Sequence, residues 1–256
     1  MANCPRPLIL REPVLPPGAV SIPRVKPRHL GMSLSYRLYR AVRLVTPRRW
    51  LAHALLDAAW ITRQLAWDCV WTTLSPADAL HQTRPHVAEF LDQAIPPGAN
   101  VIDLGGGTGF VSRLAARRAL TVLYVDRSTT NTQVARRECE GITNISFEVG
   151  EALEVLRARG PFGVALMLHV LGFSEDPVEL LAIVRKCARR VVVEVPDLDA
   201  DPLNGVRLVE ARPYYHDELY VVEFSRDGLR ACLEAAGWRV TRIDVCNGAL
   251  IALADA

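Results

Sequence analysis

No two of the six cysteines in this chain stand in a C-x-x-C pair: Cys4, Cys69, Cys139, Cys187, Cys232 and Cys246 are scattered. That spacing argues against a zinc site or a disulfide frame and suits reduced, buried thiols, so no metal is expected and a cytoplasmic setting is. No run of about 18 uninterrupted apolar residues exists, which argues against a membrane-spanning helix. The opening residues lack the charged-then-apolar pattern of a secretory signal. Lysine is nearly missing as well, with Lys26 and Lys186 alone among 30 basic residues, a compositional bias that assigns no function.

What is present is a chain of 256 residues, half of them hydrophobic, enough to bury a large core. The formal net charge is only +2, but residues 1–50 contain ten basic residues against the single acid Glu12. Such asymmetry suits a solvated tail, a phosphate-bearing partner or an anionic membrane surface. Seven prolines between Pro5 and Pro27 forbid a helix there, so residues 1–32 are predicted to form an extended, poorly packed tail. Residues 33–95 are predicted to form a helical cap, cut by Pro47, Pro76 and Pro85 into three or four helices. "SPADAL" at Ser75 reads as a helix start, with a cap residue followed by proline. Trp60, Trp67 and Trp71 recur at helical spacing. Three readings of them stand open: packing on the main domain, a lid over an apolar substrate, or an interfacial helix that dips into lipid beside the basic tail.

From residue 96 to 256, short β-rich runs alternate with helical ones. Strands are predicted at Asn100–Leu104, Thr121–Asp126, Ile145–Val149, Gly163–Leu168 and Arg190–Val195, with helices near 109–118, 129–140, 151–159 and 176–188. This alternation predicts an α/β fold, a parallel sheet covered on both faces. The end differs: a helix, then Trp238–Val245, then Asn247-Gly248 and Leu250–Leu253, which reads as a hairpin. The sheet should therefore gain an antiparallel last strand.

The stretch VIDLGGGTGF, Val101 to Phe110, decides between two ligand classes. A dinucleotide loop wants G-x-G-x-x-G/A, and bulky Phe110 occupies its third small position. The spacing that fits is D-x-G-x-G-x-G, made by Asp103, Gly105, Gly107 and Gly109. From here to its end the sequence resembles the class I S-adenosylmethionine-dependent methyltransferases, whose fold is a doubly wound, seven-stranded Rossmann-like sheet with an antiparallel last strand.

The resemblance implies that this loop passes beneath the methionyl part of S-adenosylmethionine and that Asp103 steadies its amino group. Asp126 in "LYVDRS", followed by Arg127, matches the acid that accepts hydrogen bonds from both ribose hydroxyls, a task suited to an acceptor-only carboxylate. Gly150, Glu151 and Ala152 resemble the segment that borders the adenine, with Glu in place of the usual Asp. "ALMLHVLGF" resembles the segment at the mouth of the site and implies places for Leu168 and His169 beside the sulfonium. A later stretch, with His216, Phe224 and Ser225, is similar to small-molecule methyltransferases, in which it forms part of the acceptor pocket.

Methyl transfer needs mainly alignment, but a hydroxyl acceptor also needs a base near its proton. His169 and His216 are the candidates, with His216 ranked first because acids flank it; for Glu194, at the end of a strand, two readings stand open, a side chain that points into the site and a structural hydrogen-bond acceptor. The chain lacks the N-P-P-Y or D-P-P-Y tetrapeptide of nitrogen methylation and the Pro-Cys pair of attack on pyrimidine carbon, which argues against a nucleic-acid substrate. The resemblance thus implies a methyltransferase acting on a small or lipidic acceptor, at oxygen, with peripheral membrane contact through the N-terminal helices left open. Two alternatives stand: an RNA methyltransferase gripping phosphates with its basic tail, and a methyltransferase-like scaffold without turnover. The oligomeric state is not readable.

Overall fold

The computed structural model describes residues 30–73, 84–212 and 220–256. The tail up to residue 29, the helix start at Ser75 and the candidate base His216 lie outside them. The chain divides into two compact units, Met1–Ala52 and His53–Ala256. Helix α1 (Leu30–Val45) belongs to the first. Pro47 separates it from α2 (Arg48–Thr73), as a residue without an N–H should.

In the second unit α3 (Pro85–Ala94) begins with proline in its first turn, where a missing N–H costs nothing. There follow β1 (Asn100–Leu104), α4 (Phe110–Ala115), β2 (Thr121–Asp126), α5 (Thr129–Glu138), β3 (Ile145–Val149), α6 (Ala152–Arg159) and β4 (Phe162–Leu168). The chain continues through α7 (Pro177–Cys187), β5 (Ala188–Pro196), α8 (Pro202–Val209), α9 (Arg226–Ala235), β6 (Arg239–Cys246) and β7 (Ala249–Asp255). Side-chain caps start several helices where the sequence offers them: Ser128 accepts from the Asn131 amide, Asp176 from Glu179 and Ser225 from Gly228.

The strands lie in the order β3-β2-β1-β4-β5-β7-β6. The pairs β3-β2, β2-β1, β1-β4 and β4-β5 are parallel, while β7 runs antiparallel between β5 and β6. Asn247 and Gly248 turn the final hairpin, both with positive φ (50° and 78°), the geometry that Asn-Gly favours. Both faces of the sheet are covered. Ile102, Met167, Val191 and Val193 pack with residues of α6, α7 and α9 on one side. Val101, Leu166, Val192 and Ile251 pack under α3 and α4 on the other. Burial on both faces explains the near-continuous apolar strands.

The five parallel strands fall where the sequence places them, within two residues at each end. Helix α8 was not expected. Its signals were present in Asp201, whose side chain accepts from the Leu203 amide, and in Pro202 at the first helical position.

Candidate active site

The chain leaves β1 through three glycines that bend it back over the sheet. Gly105, Gly107 and Gly109 all have left-handed φ (71°, 54° and 83°), a region costly for other residues. The Gly105 and Gly106 amides donate to the Val125 carbonyl (2.8 and 3.0 Å), and the Tyr124 hydroxyl donates to the Gly107 carbonyl (2.7 Å), so β2 fixes the turn. The glycines do different jobs. A Cβ on Gly109 would lie 2.9 Å from Ala135 Cβ, so its smallness lets α4 and α5 approach. A Cβ on Gly107 would meet nothing nearer than the Gly105 carbonyl at 4.0 Å, which leaves open space over the turn.

Gly106 lies against Tyr124, and a Cβ there would stand 2.4 Å from the fully buried ring. Gly106→Ala must therefore displace either the ring or the loop, and overpacking of this kind costs about 1–3 kcal/mol. Thermal denaturation should show a Tm several degrees lower than wild type.

Two carboxylates frame this turn. Asp103 is buried at 2% exposure, and the Ser112 hydroxyl of α4 donates to its Oδ2 at 2.6 Å. Burial pushes its carboxyl up to about 6, against the pull of the Ser112 hydrogen bond. Asp126 ends β2; its Oδ2 accepts from the Gly107 amide (2.9 Å) and its Oδ1 from the Ser128 amide (2.8 Å). Each oxygen can accept a further hydrogen bond. The Gly150 amide donates to the Asp126 carbonyl (3.1 Å), which brings the end of β3 beside the same turn.

A second cluster gathers at the ends of β4 and β5. His169 follows Leu168 and has φ 59°, a strained value for a side-chain-bearing residue. Its amide donates to the Glu194 carbonyl at 2.8 Å, which ties it to β5. Its Nε2 lies 3.7 Å from Glu194 Oε2, and its Nδ1 is 3.3 Å from the Tyr220 hydroxyl. Glu194 is fully buried and bonded by Arg84, the residue before α3. His86 Nε2 lies 3.5 Å from its other oxygen. Burial lowers the Arg84 guanidinium to about 10, and burial together with Arg84 lowers His86.

The sequence identified His169 and Glu194 but missed Arg84, His86, Tyr220 and Ser112. Arg84 and His86 flank Pro85 at a helix start, a place that signals a boundary and not a site. Of the other predicted residues, Leu168 is buried beneath His169, Arg127 is exposed beyond Asp126, and Glu151 is an exposed residue just ahead of α6, where Ala152 begins the helix.

A family model described as a methyltransferase domain matches residues 78–243. Among curated proteins the chain is similar to the ubiquinone biosynthesis O-methyltransferase of Xanthomonas campestris pv. campestris (strain B100), with 30% identity over 122 residues, 46% of this chain and 49% of that protein. The chain spans about half the length of the curated relatives it matches. Among solved structures it is similar to the magnesium protoporphyrin IX methyltransferase of Synechocystis PCC 6803 with bound S-adenosylhomocysteine: TM-score 0.56, 15% identity, 81% of this chain and 99% of that one. It is also similar to an O-methyltransferase family 2 protein from Planctomyces limnophilus in complex with apigenin: TM-score 0.54, 15% identity, 70% and 60% coverage. These structures share the fold. With the family model matched over more than half of its length, the chain belongs to the methyltransferase-domain family.

Proposed function

We propose that the enzyme methylates an oxygen of a small or lipidic acceptor, with His169 as the group that takes the acceptor's proton. The observation that carries this reading is the left-handed His169 at the end of β4, its ring set between the buried Glu194 carboxylate and the Tyr220 hydroxyl. A strained residue held between polar partners at a strand end is a mark of function. The O-methyltransferase names of the curated relatives support an oxygen acceptor. His216, the sequence's first choice, stays a second candidate outside the described residues.

The residues around the glycine turn fit the cofactor. The open space over Gly107 admits a ligand against the backbone, where any side chain would intrude. We assign the ribose hydroxyls to Asp126, the amino group to Asp103, and the adenine to the border formed by Gly150, Glu151 and Ala152. Gly105 and Gly109 shape the loop, Arg127 flanks the ribose from solvent, and Leu168 is the apolar floor next to the transfer point. S-adenosylmethionine supplies a methyl already activated by a positive sulfur, so the chain's own work is alignment and removal of one proton. With Nε2 facing Glu194, Nδ1 of His169, which lies 3.3 Å from the Tyr220 hydroxyl, is the nitrogen left to take the acceptor's proton. The Glu194 carboxylate on the Nε2 side stabilises the imidazolium that forms. Arg84 bonds that buried carboxylate and balances its charge.

Asp103 gives the proposal a pH signature. Its raised pKa of about 6 means that the carboxylate is ionised above that pH and neutral below it. A ligand ammonium favours the ionised form, so affinity for S-adenosylhomocysteine should be flat at neutral pH and fall as pH drops through 6. Calorimetric titrations from pH 7.5 to 5 read this directly, and Asp103→Asn should remove the dependence. Acceptor class is tested with radiolabelled methyl donor and a panel of phenols, carboxylic acids and amines. Label on phenolic or carboxylic oxygen is expected; label on amines alone contradicts the proposal.

A further inference from the structure

Two helices of the second unit are built inside out. In α8 the polar side chains point inward: Asn204 is 6% exposed and Arg207 4%. Arg207 Nη1 donates to Asp201 Oδ2 (2.7 Å) and to Asn204 Oδ1 (3.0 Å), and the Asn204 amide group donates to the Leu198 carbonyl (2.9 Å). The outward residues are Pro202, Leu203, Gly205, Val206, Leu208 and Val209, with no charge among them; Val209 is 83% exposed.

From His53 onward α2 repeats this inversion in part, its half-buried side mixing His53, Asp57 and Gln64 with Ala54, Leu56 and Trp60. His53 Nε2 meets Glu210 Oε2 at 2.7 Å, and Arg212 Nε donates to Asp57 Oδ1 at 2.9 Å, so polar pairs fasten the helix to the chain just after α8. His53, Asp57, Trp60 and Gln64 recur along one half-buried stripe. The other side presents Leu55, Ala58, Ala59, Ile61, Leu65 and Ala66 to the outside. Thr62 satisfies its hydroxyl within the helix, donating to the Ala58 carbonyl at 2.8 Å. Beside His53 and Asp57 this stretch carries Asp68 and Arg63, and Arg63 is exposed and lies within reach of the charges of Arg207, Asp201 and Glu223. Exposed apolar residues flank the candidate site as well: Phe173, edge-on to Tyr220 with ring centres 4.6 Å apart, and Val221.

A helix facing water has the opposite arrangement, polar outward and apolar inward. Outer faces this poor in charge, none on α8 and Arg63 on α2, are stable where the surroundings are apolar. Among the described residues no helix is long and apolar enough to cross a membrane, so such helices would lie along one. The charge of the chain says which kind of surface: residues 1–50 hold ten basic residues and one acid, and Arg48 and Arg49 open α2 itself. Polybasic segments are attracted to anionic lipid headgroups. We infer that the outer faces of α2 and α8 rest on an anionic phospholipid bilayer, held by apolar side chains and by the charge of the N-terminal region. This goes beyond the proposed reaction and does not depend on the acceptor.

Sedimentation with vesicles tests it, using the full chain, the exposed-face variant Ile61→Glu/Leu65→Glu, and the variant Val206→Glu/Val209→Glu. Vesicles of phosphatidylcholine with phosphatidylglycerol are compared with phosphatidylcholine alone, and calorimetry with S-adenosylhomocysteine confirms that each variant folds. The wild type should bind the anionic vesicles, and each variant should bind about tenfold or more weakly, as expected for charges placed on an apolar interfacial face. Wild type that ignores anionic vesicles, or variants that bind as it does, overturns the inference. So does light scattering that shows a dimer which the same variants dissolve without any vesicle binding.

Discussion

His169→Ala should lower kcat by about 10²–10⁴-fold while the affinity for S-adenosylhomocysteine stays close to that of wild type. The substitution removes the ring that meets the Tyr220 hydroxyl and the buried Glu194 carboxylate. It leaves the glycine turn and the two aspartates as they are. Alanine tolerates φ 59° no better than histidine does, so the strain at this position persists and the fold is judged by the calorimetric binding of cofactor product. A drop in kcat with unchanged binding supports proton removal by His169. Loss of both would mean that the residue is a structural post for the end of β4. Unchanged turnover returns the role to His216.

The second large effect belongs to Asp126. Asp126→Ala removes the acceptors assigned to the sugar and also frees the Gly107 and Ser128 amides, which then have to find water. Loss of charged hydrogen bonds of this kind costs about 1–3 kcal/mol, so the dissociation constant for S-adenosylhomocysteine should rise by roughly fivefold to more than a hundredfold. Asp126→Asn separates the two contributions. An amide oxygen can still accept from Gly107, so a loss in Asn nearly as large as in Ala points to the ligand contact and not to the loop.

Much of the fold was legible because parallel strands buried on both faces write themselves as apolar runs, as in Val191–Val195, and because Asn247-Gly248 admits few conformations other than a tight hairpin. The glycine turn and its two carboxylates were legible for a similar reason: Asp103 lies in β1 just ahead of the glycines, and Asp126 ends β2. The cluster at the ends of β4 and β5 was legible only in part, through His169 and Glu194. Glu194, Arg84, His86, His169 and Tyr220 come from four separate parts of the chain and meet through the register of β4 on β5, the docking of α3 and the loop that carries Tyr220. No local pattern marks Arg84 or Tyr220. The inverted helices were half legible. The tryptophan spacing in α2 raised the interfacial reading, but only burial shows that α8 turns Asn204 and Arg207 inward.

The central claim is that the cofactor lies over the Gly105–Gly107 turn with its sugar on Asp126, and a crystal structure with S-adenosylhomocysteine tests it most directly. Both ribose hydroxyls should stand within hydrogen-bond distance of the Asp126 carboxylate, the amino group on the Asp103 side, and the sulfur toward His169. A nucleoside bound elsewhere on the chain, with Asp126 still holding only the Gly107 and Ser128 amides, would contradict it.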